Sequence, residues 1–593
     1  MKQYAVGIDL GTTNCTLAYC ELGEGNAPVQ LLEIPQVTRL GLVESRSTLP
    51  SFVYLPREGE FTSEELGLPW DASPKVIVGT FARDHGAKTP QQLVSSSKSW
   101  LCHGGIRRDA PILPQGRGEG PKISPVTGAE LLLSHLRSAW DERFGPQGAF
   151  LRDQAVVVTV PASFDPVARE LTVRAISQAG LGEVTLLEEP QAALYSWLQS
   201  AGEAWRKAVQ VGDDILVCDV GGGTSDFSQI RVQEREGQLE LERVAVGNHI
   251  LLGGDNMDIA LAHVAGQRLK EAGAELDPWQ ARELWYRCRD AKEALLSDPA
   301  LTSCTVSVLG RGSRLVGGSI TTELNRGDIA NVLLKGFLPA CGRDEGPQVR
   351  RVGGLRQQGL PYAQDPAITR HLAGFVARNN TPDKPHPDHI LFNGGVFKAP
   401  ALRNRVQHVM GAWGDSDSLP SLMESSDFEH AVALGAAYFS KVRQGTGVRI
   451  KGGTAATYYI GVESAAPAIP GFEAPLEGLC VAPFGMEEGT GAPLEGEELS
   501  LVVGEPAEFR FFRSLHRKDD TLGDLVDCNG VDLEELEPLE MTLQGEGLQE
   551  GNFVPVTLET RVTEVGTIEV WCKSTDSEQR WRLQFDLRAA EGS

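Results

Sequence analysis

The sequence predicts an α/β region over residues 1–443 and an all-β region over 456–593, joined by a linker at 444–455. Three observations predict it. Nearly continuous apolar runs, such as Ala155-Val-Val-Val-Thr-Val160 and Ile215-Leu-Val-Cys218, alternate with amphipathic helical stretches, the pattern of strands covered on both faces. The helical period fades after Gln444 and strict alternation replaces it. A strand–Asp–Gly–Thr word near the start returns about two hundred residues later.

Tyr4-Ala-Val-Gly-Ile8 reads as a buried strand ending at Asp9, before Gly11, Thr12, Thr13 and Asn14. Ala129–Phe144 places Leu132, Leu136, Ala139 and Trp140 on one helical stripe. The strand Ala155–Val160 stops at Pro161, and Asp165-Pro166 opens a helix over Val167–Ala179. Leu186-Leu-Glu-Glu is a strand ending in two acids, with Glu189 at its tip and Pro190 in the first turn of the next helix. Ile215–Cys218 delivers Asp219, three consecutive glycines at Gly221–Gly223, Thr224 and Asp226. Ile390-Leu-Phe-Asn is another strand, followed by Gly394 and Gly395.

Arg443–Thr454 is rich in Gly, Lys and Arg and reads as a linker. Beyond it Phe509 and Phe511 alternate with Arg510, and Val556, Leu558, Thr560 and Val562 alternate with polar residues. Ile568, Val570 and Cys572 do the same, and after the turn Ser574–Glu578 so do Trp581, Leu583, Phe585 and Leu587. This is the pattern of an antiparallel, sandwich-like β domain.

Composition narrows the function classes. The 593 residues are 41% apolar and 23% charged, with a formal net charge of −25, which argues against nucleic acid or an anionic membrane as a general partner. There is no apolar run of about 18 residues, so no membrane span is expected, and the N-terminus lacks a signal-peptide pattern. The ten cysteines contain no Cys-x-x-Cys pair; neither structural zinc nor a disulfide framework is expected, and a reducing cytoplasm is the simplest compartment.

The two Asp–Gly–Thr words carry the chemistry. A carboxylate at the end of a buried strand is costly unless a cation or hydrogen bonds satisfy it. A glycine turn followed by threonines offers free N–H groups and hydroxyls, an anion cradle beside a cation-binding acid. An ordinary hairpin would explain the first word alone; three glycines in a row exceed what a hairpin needs. Two such words suggest two similar halves gripping one polyphosphate from opposite sides.

Taken in order, Asp9-Leu-Gly-Thr-Thr-Asn14, Val158-Thr-Val-Pro-Ala-Ser-Phe164, Glu189-Pro-Gln-Ala-Ala193, Asp219–Asp226, Leu252-Gly-Gly-Asp255, Asn393-Gly-Gly395 and Ala433-Leu-Gly-Ala-Ala437 resemble the DnaK-type heat-shock chaperones of the actin-like ATPase superfamily. Ser47-Thr-Leu-Pro-Ser-Phe-Val53 resembles a further strand of that family. The resemblance implies a two-lobed actin-like ATPase domain closing on ATP or ADP with Mg²⁺ and K⁺. By position, Asp9, Asp219 and Asp226 would serve the metal ions. Thr12, Thr13, Gly222, Gly223 and Thr224 would meet phosphates. Gly11, Asn14, Gly221, Gly253, Gly254, Lys292, Gly394 and Gly395 would complete the nucleotide site. Glu189 would position the attacking water and Lys98 would act over the γ-phosphate; local sequence alone makes Lys98 a surface lysine. Slow ATP hydrolysis is expected, as phosphoryl transfer depends on alignment and charge neutralisation.

The β region resembles the family's peptide-binding sandwich, with Thr457–Glu463 as its entry strand and Gly566–Lys573 near its end. The implied partners are unfolded peptide segments, a J-domain co-chaperone and a nucleotide-exchange factor. The sequence departs from the family in four places. It ends at Ser593, where a helical lid would follow. Its linker reads Val448-Arg-Ile-Lys-Gly-Gly-Thr454 instead of an acidic-apolar strip. Arg289, Glu293 and Lys398 stand where the family has a glutamate and two arginines around the base. Finally, 336–387 is longer than expected and reads as an insertion, with Arg350–Leu360 as a loop, partner surface or lid. Two alternatives stay open: a nucleotide-gated scaffold with little turnover, and a sugar-kinase-like phosphotransferase.

Overall fold

A computed structural model describes residues 2–585 apart from 24–26, 104–105, 116–119, 236–237, 311–318, 349–359, 382–383, 415–418, 426, 445–449, 452, 455, 464–475, 488, 495–498, 505, 529–531, 543–550 and 564–566. Its first sheet has six strands: β1 (Tyr4–Leu10), β2 (Asn14–Glu21), β3 (Gln30–Leu31), β4 (Ala155–Val160) and β5 (Val184–Glu188), in the order β5-β4-β1-β2-β3, and the short strand Leu49–Pro50 paired with β2. A second sheet comprises β6 (Asp214–Val220), β7 (Ser225–Arg235), β8 (Gln238–Val246), β9 (His389–Asn393), β10 (Ser421–Met423) and β11 (Ile450–Lys451), in the order β10-β9-β6-β7-β8-β11. In each sheet the central strand pairs antiparallel with the strand that follows it and parallel with a strand from much later in the chain. The two halves therefore have one winding, as the repeated words suggested.

Helices cover both sheets. In the first half these are α1 (Ser97–Leu101), α2 (Pro125–Phe144), starting four residues before the sequence-based boundary, and α3 (Pro166–Gln178). Trp140 on α2 is fully buried, with Tyr4, Tyr19 and Phe144 packed around it at centroid distances of 5.4, 5.4 and 4.3 Å. The next helix, α4 (Glu189–Ala201), leaves the first sheet and packs on the second; its Leu194 and Trp197 share a core with Ile215, Val217 and Leu391. In the second half lie α5 (Gly254–Glu271), α6 (Pro278–Ser297) and α7 (Ile368–Asn379). The last helix, α8 (Ala431–Val442), returns to the first sheet and crosses α4. Its small-residue word has a steric cause. A Cβ added at Gly435 would collide with the Ala192 carbonyl, and one at Gly7 would lie 2.5 Å from the Ala433 carbonyl, so helix, helix and strand meet backbone to backbone.

The segment read as an insertion is only partly loop. Its α7 buries Ile368, Leu372, Phe375 and Val376 in the second-half core, and Leu360 packs against the first-half core. Residues 349–359, most of the Arg350–Leu360 stretch, lie outside the described residues. Within the segment read as a linker, β11 adds to the edge of the second sheet, Leu241 pairing with Ile450 and Glu242 with Lys451; residues 445–449, 452 and 455 lie outside the described residues.

The C-terminal region forms two antiparallel sheets, one containing Thr457–Glu463, Leu476–Ala482 and Pro506–Ser514, the other Phe553–Val562, Ile568–Ser574 and Arg580–Arg582. Tyr458, Ile460, Val481 and Phe511 from the first meet Val556, Leu558, Val570 and Cys572 from the second in one core. This region contacts the α/β part through buried charge. The Arg108 guanidinium, 2% exposed, binds both oxygens of Asp165 at 3.0 Å and Glu537 of the β region at 2.5 Å. Lys518 donates to the Val244 carbonyl at 2.9 Å and to Asn379 at 3.1 Å.

Candidate functional site

Register places the acids. Asp9 stands opposite Thr159 on the parallel neighbour of its strand, and Thr159 Oγ1 donates to Asp9 Oδ1 at 3.1 Å. In the second sheet Asp219 stands opposite Asn393, whose Nδ2 donates to Asp219 Oδ2 at 2.7 Å. Both acids thus sit at the C-terminal end of a central strand, each held by a polar residue of the adjoining parallel strand. Asp226 lies opposite Asp219 on β7 and accepts from Ser163 Oγ at 2.7 Å, with His249 Nδ1 at 3.3 Å.

Lys98 is not a surface residue. Ser96 precedes α1 with φ 55°, in the left-handed region where side chains other than glycine are uncommon. The helix that starts there carries Lys98 inward until it is only 7% exposed, and its Nζ donates to Glu189 Oε1. Glu189 is the first residue of α4, immediately after β5.

Four carboxylates, Asp9, Glu189, Asp219 and Asp226, influence one another here, with Lys98 as the ammonium among them. Burial pushes Glu189 up to about 7 against the pull of Lys98. Burial, then the charge of Glu189, pushes Asp219 up to about 8. Burial also raises Asp9, against Lys98 and Thr159. At Asp226 burial acts in the same direction, but His249 and Ser163 outweigh it and hold the carboxyl below its usual range. The site therefore has more buried negative charge than its own cation neutralises, an environment suited to a hard cation. Among the described residues no three His, Cys, Asp or Glu side chains converge closely enough to chelate an ion directly. The all-oxygen carboxylate set suits a hard cation such as Mg²⁺.

Asp9, Lys98, Glu189 and Asp219 line a cleft of about 500 Å³ between the halves. Gly11–Asn14 line it on the first turn, and Gly221, Gly222 and Thr224 on the second. The turns touch: a Cβ at Gly222 would collide with Thr13 Oγ1, and one at Gly223 would lie 3.1 Å from Thr12 Cγ2. Gly254, Lys292, Gly394 and Gly395 line the cleft too. Gly394 has φ +87°, and a Cβ there would meet the Val220 carbonyl and Asp219 Oδ1, so the turn beside Asp219 requires glycine. Gly253 lies behind the second turn, where a Cβ would sit 2.6 Å from the Gly221 and Gly222 carbonyls. Asp226 is 7% exposed, one strand behind Asp219.

The outer end of the cleft is ion-paired. Lys292 Nζ lies 2.6 Å from Asp258, which is fully buried, and Arg289 lies 3.5 Å from Asp258, 3.4 Å from Asp255 and 3.6 Å from Glu293. Lys398 pairs with Glu429 at 2.6 Å. Sequence reasoning assigned no role to Thr159, Ser163, His249, Asp258 or Asn393. Thr159, Ser163 and Asn393 stand inside quoted words and could have been found there; His249 and Asp258 have no local signal.

The model of the family described as Hsp70 protein matches residues 5–333. The chaperone protein HscA homolog of Pseudoalteromonas atlantica is 31% identical over 425 residues, covering 68% of this chain and 59% of the relative. The homolog of Acidithiobacillus ferrooxidans is 30% identical over 422 residues, with the same coverage. The chaperone protein HscA of Pectobacterium carotovorum subsp. carotovorum is 28% identical over 444 residues, covering 70% and 60%. The chain thus spans about three fifths of the length of the curated relatives it matches.

Proposed function

Because this chain belongs to the Hsp70 protein family, we propose that it binds and hydrolyses ATP in the cleft, and that nucleotide state regulates its binding of unfolded peptide segments. The observation that carries this reading is the buried Lys98–Glu189 pair set between Asp9 and Asp219 at the meeting of two glycine turns. On this reading residues 1–443 are a two-lobed actin-like ATPase domain, 444–455 the linker, and 456–593 a peptide-binding sandwich.

Asp9 and Asp219 would hold hydrated Mg²⁺, with Asp226 supporting a monovalent site such as K⁺; the ion would neutralise phosphate charge. N–H groups of Gly11–Thr13 and Gly221–Thr224 would cradle the phosphates. Lys98 would leave Glu189 for the transferring phosphoryl group, freeing the carboxylate to orient water and hold its proton. A carboxyl near pH 7 suits that task. The β region would take an extended peptide through main-chain hydrogen bonds, with a J-domain protein and a nucleotide-exchange factor as partners.

Single-turnover hydrolysis of ATP with Mg²⁺ tests the proposal, run beside Lys98→Ala. Losing a charge that acts on the transition state costs on the order of 3 kcal/mol, roughly a hundredfold in rate. Tight nucleotide binding with no turnover in the native chain would favour a nucleotide-gated scaffold instead.

A further inference from the structure

The two halves also meet away from the glycine turns. Ser163, which follows β4 in the first half, donates from Oγ to Asp226 at 2.7 Å and lies 3.0 Å from His249 Nδ1, both in the second half. Close after His249 comes Leu251, and there the segment read as an insertion reaches the junction. Ala363 N–H donates to the Leu251 carbonyl at 3.3 Å. Ala363 packs against the core of the second half, and Leu360, just before it, packs against the core of the first. Tyr362 N–H donates to the Leu360 carbonyl at 2.9 Å, a tight bend that leaves Leu360 half-buried and Tyr362 59% exposed.

A buried acid holds this limb in place. Asp365 is 3% exposed. Its Oδ2 accepts from the Gln348 N–H at 2.8 Å and from Arg370 Nε at 2.6 Å. Its Oδ1 accepts from the Ala367 N–H at 3.0 Å and from Arg370 Nη2 at 2.6 Å. Both oxygens are satisfied within the second half, as a buried carboxylate requires. Gln348 leads into the segment and Asp365 leads out of it, so one carboxylate closes its neck against Arg370 of α7.

The residues that follow Leu251 give the contact its consequence. Gly253 backs the second glycine turn, and the next two N–H groups, of Gly254 and Asp255, donate to the Gly221 and Gly222 carbonyls at 3.0 and 2.7 Å. The limb is thus fixed to the stretch that supports one turn, while its leucine rests on the half that carries the other. We propose that residues 360–363 are a strap that holds the two halves together and retards the release of bound nucleotide. A molecule gripped between two turns leaves when the halves part, and parting them returns the Leu360 side chain to water. A contact broken only on opening acts on the off-rate. The effect on nucleotide rests on the ATP reading above; the strap itself does not.

The test loads the full chain with Mg-ADP carrying a fluorescent ribose label and times its release after a chase of unlabelled ADP. Native protein is compared with Leu360→Ala, Leu360→Asp and Tyr362→Ala. Full burial of a leucine contributes roughly tenfold or more to an equilibrium, and Leu360 is half-buried, so Leu360→Ala is expected to release about fivefold faster. Leu360→Asp is expected to release about tenfold faster or more, with association changed less than about twofold. Tyr362→Ala, which removes an exposed ring from the same limb, is expected to release at the native rate. Hydrogen exchange of the ligand-free chain reads the strap without nucleotide. Leu360→Asp should speed exchange about fivefold or more at the amides of Ala363 and Phe164, on opposite sides of the junction. If Leu360→Asp does not fold, Leu360→Ala decides both measurements. Leu360 variants that melt with the native protein and release at its rate would overturn the proposal, as would an equal acceleration in Tyr362→Ala. Should the native chain bind no nucleotide, the functional reading fails on its own; faster exchange at both amides then supports the strap, and unchanged exchange at Phe164 removes it.

Discussion

Asn393 stands to Asp219 as Thr159 stands to Asp9: each faces its acid across adjoining parallel strands and donates a side-chain hydrogen bond to it, at 2.7 and 3.1 Å. Orienting partners of this kind typically control about 10- to 100-fold in metal affinity. Asn393→Leu should therefore weaken Mg-ADP binding by about tenfold or more, measured by calorimetry, with little change in nucleotide binding when Mg²⁺ is absent.

Glu189 and Asp219 titrate near 7 and 8 in the folded chain, raised chiefly by burial. In the unfolded chain they ionise near the ordinary carboxylate range. Between these limits the folded state binds more protons than the unfolded one, so stability is fully present at low pH and is lost as pH rises through 7 and 8. The ligand-free protein should melt at progressively lower temperature from pH 5 to pH 8 and level off above that, and Mg-ADP should flatten the trend by stabilising the ionised acids. A melting temperature that climbs with pH in the ligand-free protein would contradict this assignment of buried charge.

Arg108 serves Asp165 and Glu537 at once, with 2% of its surface exposed. Removing one member of a buried ion network leaves the others uncompensated, which costs about 3–5 kcal/mol. Arg108→Ala should destabilise the chain by about that much in denaturant titrations. Glu537→Gln should cost less, because the guanidinium keeps Asp165. A double-mutant cycle of Arg108→Ala with Glu537→Gln should return a coupling well above the roughly 0.5 kcal/mol expected of independent sites.

Ser96 holds the left-handed conformation that starts the helix bearing Lys98. Left-handed backbone costs an L-residue about 1–2 kcal/mol, and glycine is exempt. Ser96→Gly should leave stability and ATP turnover near native. Ser96→Val should lose stability and, by displacing Lys98, lower turnover more than it alters nucleotide binding, as read from kcat against a separately measured Kd.

Much of this architecture was legible from the chain. Continuous apolar runs marked Ala155–Val160 and Ile215–Cys218 as buried strands because periodicity reports which faces are covered. The two turn words placed Gly11–Asn14 and Gly221, Gly222 and Thr224 on one cleft because their chemistry is contiguous: the acid, the glycines and the threonines are neighbours in sequence. Alternation after Gln444 was enough for paired antiparallel strands and the turn after Ser574, but not for the break at Leu583: Arg580–Arg582 pairs with Ile568–Ser574, Gln584–Phe585 joins the other sheet, and Leu587 lies outside the described residues. Burial of Lys98 could not be read the same way. Nothing in its own stretch calls for it; the reason is Glu189, 91 residues away, and a left-handed serine that no propensity favours. Arg243 reaches Gly453 across 210 residues and Arg108 reaches Glu537 across 429. Such partners are chosen by which surfaces meet when separate sheets pack, and a buried charge discloses its compensation only once every neighbour that desolvates it is in place.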